Sequence, residues 1–353
     1  MQEVYIRTLP DKLELPPSEG VRSPPQYFQL PTTMAAVGPR GRGKTYNLTL
    51  WNKWMFDNDY FTRFFVISPS RESNPPLFLI PTRPGDIYTD IDNSIEALTA
   101  IIQQVEADAQ WYKEMTDTYS KAYRKYLKKG MNVSKLDKKV VSYLRSMQRV
   151  IHDYYTSLEE LHKQMDPKSR YIEYILLRKP NEPDKMITSI LGSRYDDNHP
   201  WFFPPPSLPK PVPLLFIDDC SHSPIYATNR SNPLVNLTLR HRHIGGAGFG
   251  VSIQFAVQTF KTGVPKALRQ NTMQFMIFKT NDLSVVNDIY EEVGAFCTKE
   301  EFLQLYFQAI QSDHDFLCID VNAKDEKRIF RRGFDTFLIL DREMEHSYSD
   351  EET

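Results

Sequence analysis

Cysteine is scarce in this chain: Cys220, Cys297 and Cys318 are the only three among 353 residues. An odd, scattered set of that size excludes a disulfide framework and fits a reducing compartment. Long apolar runs are missing too. None approaches the ~20 residues a membrane-spanning helix needs. The opening MQEVYIRTLPDK lacks the apolar core of a secretory signal. No internal repeat is visible. The expectation is a soluble, intracellular protein of one large domain or two ordinary ones. Hydrophobic residues make up 41% and aromatic residues 12%, enough for a substantial core and too many for a disordered chain.

The formal charge of −2 hides an uneven distribution. Lys121 to Arg149 carries ten Lys and Arg against one acid, Asp137, whereas Asp341 to Thr353 carries six acids against one Arg. The middle is basic and the tail acidic.

Residues 1–30, proline-rich and without periodicity, read as an extended lead-in. One α/β domain is expected over 31–340, then an acidic disordered tail over 341–353. TTMAAVG (32–38) and RFFVISPS (63–70) read as buried strands. YNLTLWNKWMF (46–56) reads as a helix with Leu50, Trp51, Trp54 and Met55 on one face. From about 94 to 165 the pattern is helical, polar and long, broken at Gly130-Met131-Asn132: a hairpin-like insertion of two or three helices. A polyproline-like linker (201–213) feeds the strand LLFIDDC (214–220), and GFGVSIQFAVQ (248–258) and NTMQFMIFK (271–279) follow as strands. Helices over 281–294 and 298–310, then strands over 316–321 and 334–340, complete the set. Alternating strands and helices predict a mostly parallel α/β sheet.

VGPRGRGKTYNLT (37–49) fits G-x-x-x-x-G-K-[ST] without a mismatch at Gly38, Gly43, Lys44 and Thr45. Glycines let the backbone curl so that successive N–H groups face phosphate oxygens, and the following helix presents its positive end to the same anion. Gly38, Pro39, Arg40, Gly41, Arg42, Gly43, Lys44, Thr45 and Tyr46 form the expected nucleotide-binding set. Lys44 would reach the β- and γ-phosphates of ATP, and the Thr45 hydroxyl would ligate Mg²⁺. Arg40 and Arg42 make the loop unusually basic. In LLFIDD, a strand delivers an acidic pair at its carboxyl end. Asp218 would hold Mg²⁺, and Asp219 would act as general base toward water. Gln258, ending the next strand, is expected to sense the γ-phosphate or orient that water.

Taken together, the P-loop, the acidic pair, Arg242-His243, Gln258, and then Pro265, Arg269 and Asn271 resemble the genome-packaging ATPases of large DNA viruses and virophages, the poxvirus-type branch of the FtsK–HerA superfamily. The resemblance spans roughly residues 30 to 290. It implies a RecA-like core, ATP hydrolysis and a homo-oligomeric ring that moves double-stranded DNA into a capsid, with a capsid or portal-vertex protein as partner. It implies the host cytoplasm or viral factory as location and is compatible with virion association. It also implies an arginine reaching into the neighbouring subunit's site: Arg242 first, Arg269 second, with Arg240 a further choice in the duplicated RHRH. Outside it lie the insertion, the first 30 residues and the tail.

Three rival readings stand beside this one. They are a small-molecule kinase, a scaffold that merely binds nucleotide, and a DNA-transfer ATPase not tied to a capsid. The basic insertion with Tyr119, Tyr123, Tyr126 and Tyr143 could track DNA, present a solvated face or dock a protein. Cys220, His222, His241 and His243 are zinc-binding types in a spacing that matches no known ligand pattern.

Overall fold

Uninterrupted apolar runs, rather than alternating ones, mark strands covered on both faces, and the central strands have that character. The computed structural model describes residues 2–5, 21–80, 82–164, 201–206, 208–221, 223–227, 232–261, 263–294 and 296–340. His222 and the acidic tail lie outside these residues. The chain runs β1 (Gln2–Tyr5), β2 (Thr33–Val37), α1 (Lys44–Asp57), β3 (Arg63–Ile67), β4 (Ile87–Tyr88) and α2 (Ser94–Lys113). A π turn (Glu114–Tyr119) leads to α3 (Ser120–Lys128), α4 (Lys138–Gln164) and β5 (Pro213–Asp218). Then come α5 (Pro233–Arg240), β6 (Ser252–Val257), α6 (Lys266–Gln270), β7 (Gln274–Phe278), α7 (Leu283–Val293) and α8 (Lys299–Ala309). The described chain closes with β8 (Phe316–Asp320), β9 (Phe330–Arg332) and β10 (Thr336–Ile339).

Among the described residues, ten strands form one sheet in the order β1-β10-β9-β8-β7-β2-β6-β5-β3-β4. Pairings from β7 through β4 are parallel. Those from β7 out to β1 are antiparallel. The mostly parallel expectation therefore describes the six strands around the P-loop. The C-terminal strands β8 to β10 turn back on one another, which needs no helical crossover. The lead-in also contributes a strand, β1, at the far edge.

Alternate side chains of the central strands feed two cores. Ala35 and Val37 join one with Leu98, Ile101 and Val105 of α2. Met34 and Ala36 join the other with Leu48, Trp51 and Met55 of α1. Leu50 is 56% exposed and lies off the buried face of α1, contrary to the expected stripe. Its place on the inner face is taken by Asn52, fully buried and paired with Gln254 of β6: each amide donates to the other's oxygen, at 2.7 and 2.8 Å. Two mutually satisfied amides escape the desolvation cost that either would carry alone. A third core belongs to the insertion, where Met115, Tyr119, Tyr126, Leu144 and Ile151 pack with Phe202 and Phe203. The break between α3 and α4 falls where the sequence places it, with positive φ at Gly130 and Met131.

Asn52→Leu strands the Gln254 amide in an apolar layer and should cost about 1–3 kcal/mol in urea unfolding. The double variant Asn52→Leu/Gln254→Met should recover part of that loss. Additive losses would mean that the two amides do not act as a pair.

Candidate functional site

The loop after β2 begins with Gly38, whose N–H donates to the Val257 carbonyl at 3.2 Å. A Cβ at residue 38 would stand 2.8 Å from Phe278 Cβ, so the position admits no side chain. Gly43 precedes α1 at φ 84°, a left-handed conformation that glycine adopts without penalty. Neither a capping side chain nor an acidic residue occupies the first turn of α1. Its backbone donors and its positive end therefore face the loop, the arrangement that binds phosphate.

Lys44 Nζ arches back over the loop and donates to the carbonyls of Gly38 and Pro39 at 2.7 and 2.9 Å. Burial pushes its ammonium below the usual lysine value, while Asp218 and Asp219 pull it back up. Thr45 Oγ1 donates to Asp218 Oδ2 at 2.8 Å, joining the start of α1 to the end of β5. Asp218 is 4% exposed, and burial raises its carboxyl to about 6, with Asp219 also raising it and Thr45 and Lys44 opposing. A desolvated carboxylate sharing an oxygen with a hydroxyl is a hard oxygen pair suited to Mg²⁺. Asp219 is exposed and sits at φ 54°, a left-handed conformation that costs a non-glycine residue of order 1 kcal/mol.

The strand order explains why these groups meet. β6 lies between β2 and β5, with Val37 opposite Val257 and Asp218 opposite Ala256. Gly38, Asp219 and Gln258 therefore leave the sheet at one edge, beyond the carboxyl ends of neighbouring parallel strands. Strand, glycine loop and helix are followed by an acidic strand one position removed across the sheet. The fold is that of a P-loop NTPase.

No family model matches the chain, and no curated protein does. Among solved structures, the genome packaging NTPase B204 from Sulfolobus turreted icosahedral virus 2, in complex with ATP-gammaS, is 12% identical, with 84% of this chain and 96% of that one covered at a TM-score of 0.39. The pCW3 conjugation coupling protein TcpA is 11% identical over 83% of this chain and 58% of its own, at 0.38. Thermomonospora curvata EccC (ATPases 2 and 3) is 10% identical over 88% and 37%, at 0.36. Likenesses this distant decide nothing, and the fold stands on this chain's own strand order and loop.

The remaining predicted residues separate. Arg40 and Tyr46 are exposed. Arg42 pairs with Asp313 at 3.0 Å, as does Lys279. Arg269 is buried to 10% exposure, its Nε 3.6 Å from Glu292 and its Nη1 donating to the Lys261 carbonyl. Arg240 faces Glu106 at 3.7 Å. Arg242 is exposed, has no carboxylate partner among the described residues, and touches Met273 Sδ at 3.0 Å. It lines a cleft of about 310 Å³ with Thr238, Asn271, Met273 and Asn322. That cleft opens beside the amino ends of β6 and β7, roughly 20 Å of strand away from the loop. Cys220 lies at the carboxyl edge, whereas His241, whose Nδ1 is 2.7 Å from the Thr238 carbonyl, lies at the amino edge, so the two cannot share a zinc ion. No candidate metal cluster of His, Cys, Asp and Glu occurs among the described residues.

Sequence reasoning missed Asn74, whose Nδ2 is 3.5 Å from Asp218 Oδ2. It also missed the loop before β8, where the His314 carbonyl lies 3.5 Å from Asn47 Nδ2. Neither carries a local signal, because each is brought to the site only by tertiary packing.

The Asp218 carboxyl titrates near 3.8 unfolded and near 6 folded. Between those values the folded chain holds the proton more tightly, so stability falls as pH rises through the window. In metal-free buffer, the wild type should lose roughly 2 kcal/mol relative to Asp218→Asn between about pH 4 and pH 6. Parallel unfolding profiles for the two proteins would mean that the carboxylate is hydrated in the fold.

Proposed function

We propose that this chain is an ATP-hydrolysing motor of the FtsK–HerA type that moves double-stranded DNA, its task being genome packaging into a viral capsid. The observation that carries the reading is the placement of Gln258 between the P-loop and the acidic pair, while Arg242, without a carboxylate partner among the described residues, stands at the opposite edge.

The chemistry follows from the parts. Loop N–H groups and Lys44 hold the phosphates, and Lys44 exchanges two carbonyl partners for phosphate oxygens. Thr45 and Asp218 are the residues that would hold Mg²⁺, which supplies neutralisation of the phosphate charge. Asp219, exposed at the edge, accepts the proton of the attacking water. Gln258 orients that water with its amide. Phosphoryl transfer needs positioning and charge stabilisation more than covalent chemistry, and these residues supply both.

Charge on the transition state calls for a further cation, and the arginines differ in their freedom to supply one. Arg269 is committed to Glu292 and Lys261, and Arg240 faces Glu106. Arg242 is free of such ties but too far from its own loop, so it serves a neighbouring subunit. A ring of like subunits brings one copy's amino edge to another's nucleotide edge. Among the described residues, no helix is long and apolar enough to cross a membrane. The proposed setting is the host cytoplasm or viral factory, with a capsid or portal-vertex protein as the docking partner.

Steady-state ATP hydrolysis should rise steeply with protein concentration and again on adding long duplex DNA. Lys44→Ala should lower turnover by about 100-fold or more. Turnover indifferent to both concentration and DNA would reject the motor, and phosphate delivered to a small acceptor in place of water would make the chain a kinase. Mixing Arg242→Ala with Lys44→Ala subunits should restore hydrolysis, because an intact site then meets an intact arginine. No recovery at any ratio would remove Arg242 from the trans role.

A further inference from the structure

All ten Lys and Arg between Lys121 and Arg149 are exposed. Among the described residues, one of them stands in an ion pair, Arg149 with Asp153 at 3.9 Å. The single acid of the stretch, Asp137, accepts from the Lys139 backbone N–H at 2.7 Å. A solvated helix face usually interleaves acids and bases three or four residues apart. Here Lys121, Arg124, Lys125 and Lys128 repeat at those spacings on α3, as do Arg145 and Arg149 on α4. Like charges so placed repel by about 0.2–0.5 kcal/mol per pair, a cost that an arriving polyanion removes.

The tyrosines among these cations are otherwise engaged. Tyr119 and Tyr126 are buried in the hairpin core, and the half-buried Tyr123 packs against both rings at 6.3 and 5.9 Å. Tyr119 donates to the Phe203 carbonyl at 2.6 Å, and Tyr126 packs edge-on against Phe202 at 4.9 Å. Tyr143 donates to Glu114. Single strands are bound by aromatic rings offered to bases, and these rings are not offered. A charged surface without stacking platforms reads phosphate spacing alone, which suits a duplex.

The hairpin is also firmly rooted. α2, 20 residues and about 30 Å long, runs from the nucleotide edge to the amino edge. Near its end, Asp108 accepts from Arg63 at 2.6 Å, and Lys113 donates to the Gly245 carbonyl. On the return path, Gln148 holds the Trp201 carbonyl and the Phe203 N–H at 2.8 and 3.1 Å. Val212 N–H then donates to Thr62 Oγ1 at 2.8 Å just before β5, the strand that delivers Asp218.

We propose that the α3–α4 hairpin is the duplex grip of the motor: its exposed cations bind the phosphate backbone of double-stranded DNA without reading sequence, at the edge away from the nucleotide. The inference rests on the DNA-motor reading and assigns that reading's partner to a surface. Its test uses the full chain, a random-sequence duplex, and the variant Lys121→Gln/Lys125→Gln/Lys128→Gln/Lys129→Gln. The control variant, Lys53→Gln/Lys299→Gln/Lys324→Gln/Lys327→Gln, makes the same charge change elsewhere. Across about 50 to 200 mM salt, the hairpin variant should show a slope of log affinity against log salt reduced by about 3 to 4. It should lose DNA-stimulated hydrolysis and keep basal turnover, while the control matches the wild type. A hairpin variant that binds and responds to duplex like the wild type overturns the grip and leaves the motor standing. Wild-type protein that neither binds duplex nor responds to it overturns both. Preference of the hairpin for single strands, or for anionic phospholipid vesicles over duplex, overturns the grip by giving the surface another occupant.

Discussion

The hydrogen bond from Thr45 to Asp218 joins two elements that are not neighbours in the sheet. Thr45 lies in the first turn of the helix that follows β2, Asp218 ends β5, and β6 runs between those strands. The bond exists because three parallel strands end in register, and the register exists because each is covered on both faces by apolar layers. Shift any of them by one residue and its side chains exchange faces. The candidate chemistry therefore depends on a packing constraint spread over the whole sheet. The Asn52–Gln254 pair is the polar part of that constraint, tying the helix of the P-loop to the strand that leads into Gln258.

Buried charge follows the same logic. Arg63 is held by two fork bonds to Asp86 and a third to Asp108. Arg331 lies in the interior with its guanidinium 4.6 Å from the Phe337 ring and 5.0 Å from the Phe28 ring. Breaking such sites by removing one partner costs more than the contacts suggest, because the other charge is left desolvated. Asp218 differs: burial leaves its carboxyl raised, and its hydroxyl and ammonium neighbours only partly offset that. Perturbed carboxylates gather at functional sites, which fits the Mg²⁺-holding role proposed for Asp218.

Much of this was legible in the sequence. The P-loop, the acidic strand, the strand ending in Gln258 and the helical insertion all announce themselves locally, through glycine spacing, uninterrupted apolar runs and 3.6-residue periodicity. What escaped depends on partners far along the chain. Leu50 fits the helical stripe as well as Asn52 does, and only Gln254, 202 residues away, decides which faces inward. The arginines RHRH and Arg269 look equivalent as letters, and only Glu292 and Glu106 separate them. β4 and β9, two and three residues long, are too short for any period to show. The antiparallel turn of the last strands leaves no mark in their composition.

One backbone angle has an evolutionary side. Asp219 holds a left-handed φ that glycine would adopt freely, so the residue that best fits the backbone is one without a carboxylate. Thermal endurance alone favours glycine at 219, and under the general-base role proposed for Asp219 the more durable protein would be idle. Under that proposed role, stability and turnover pull in opposite directions at this position.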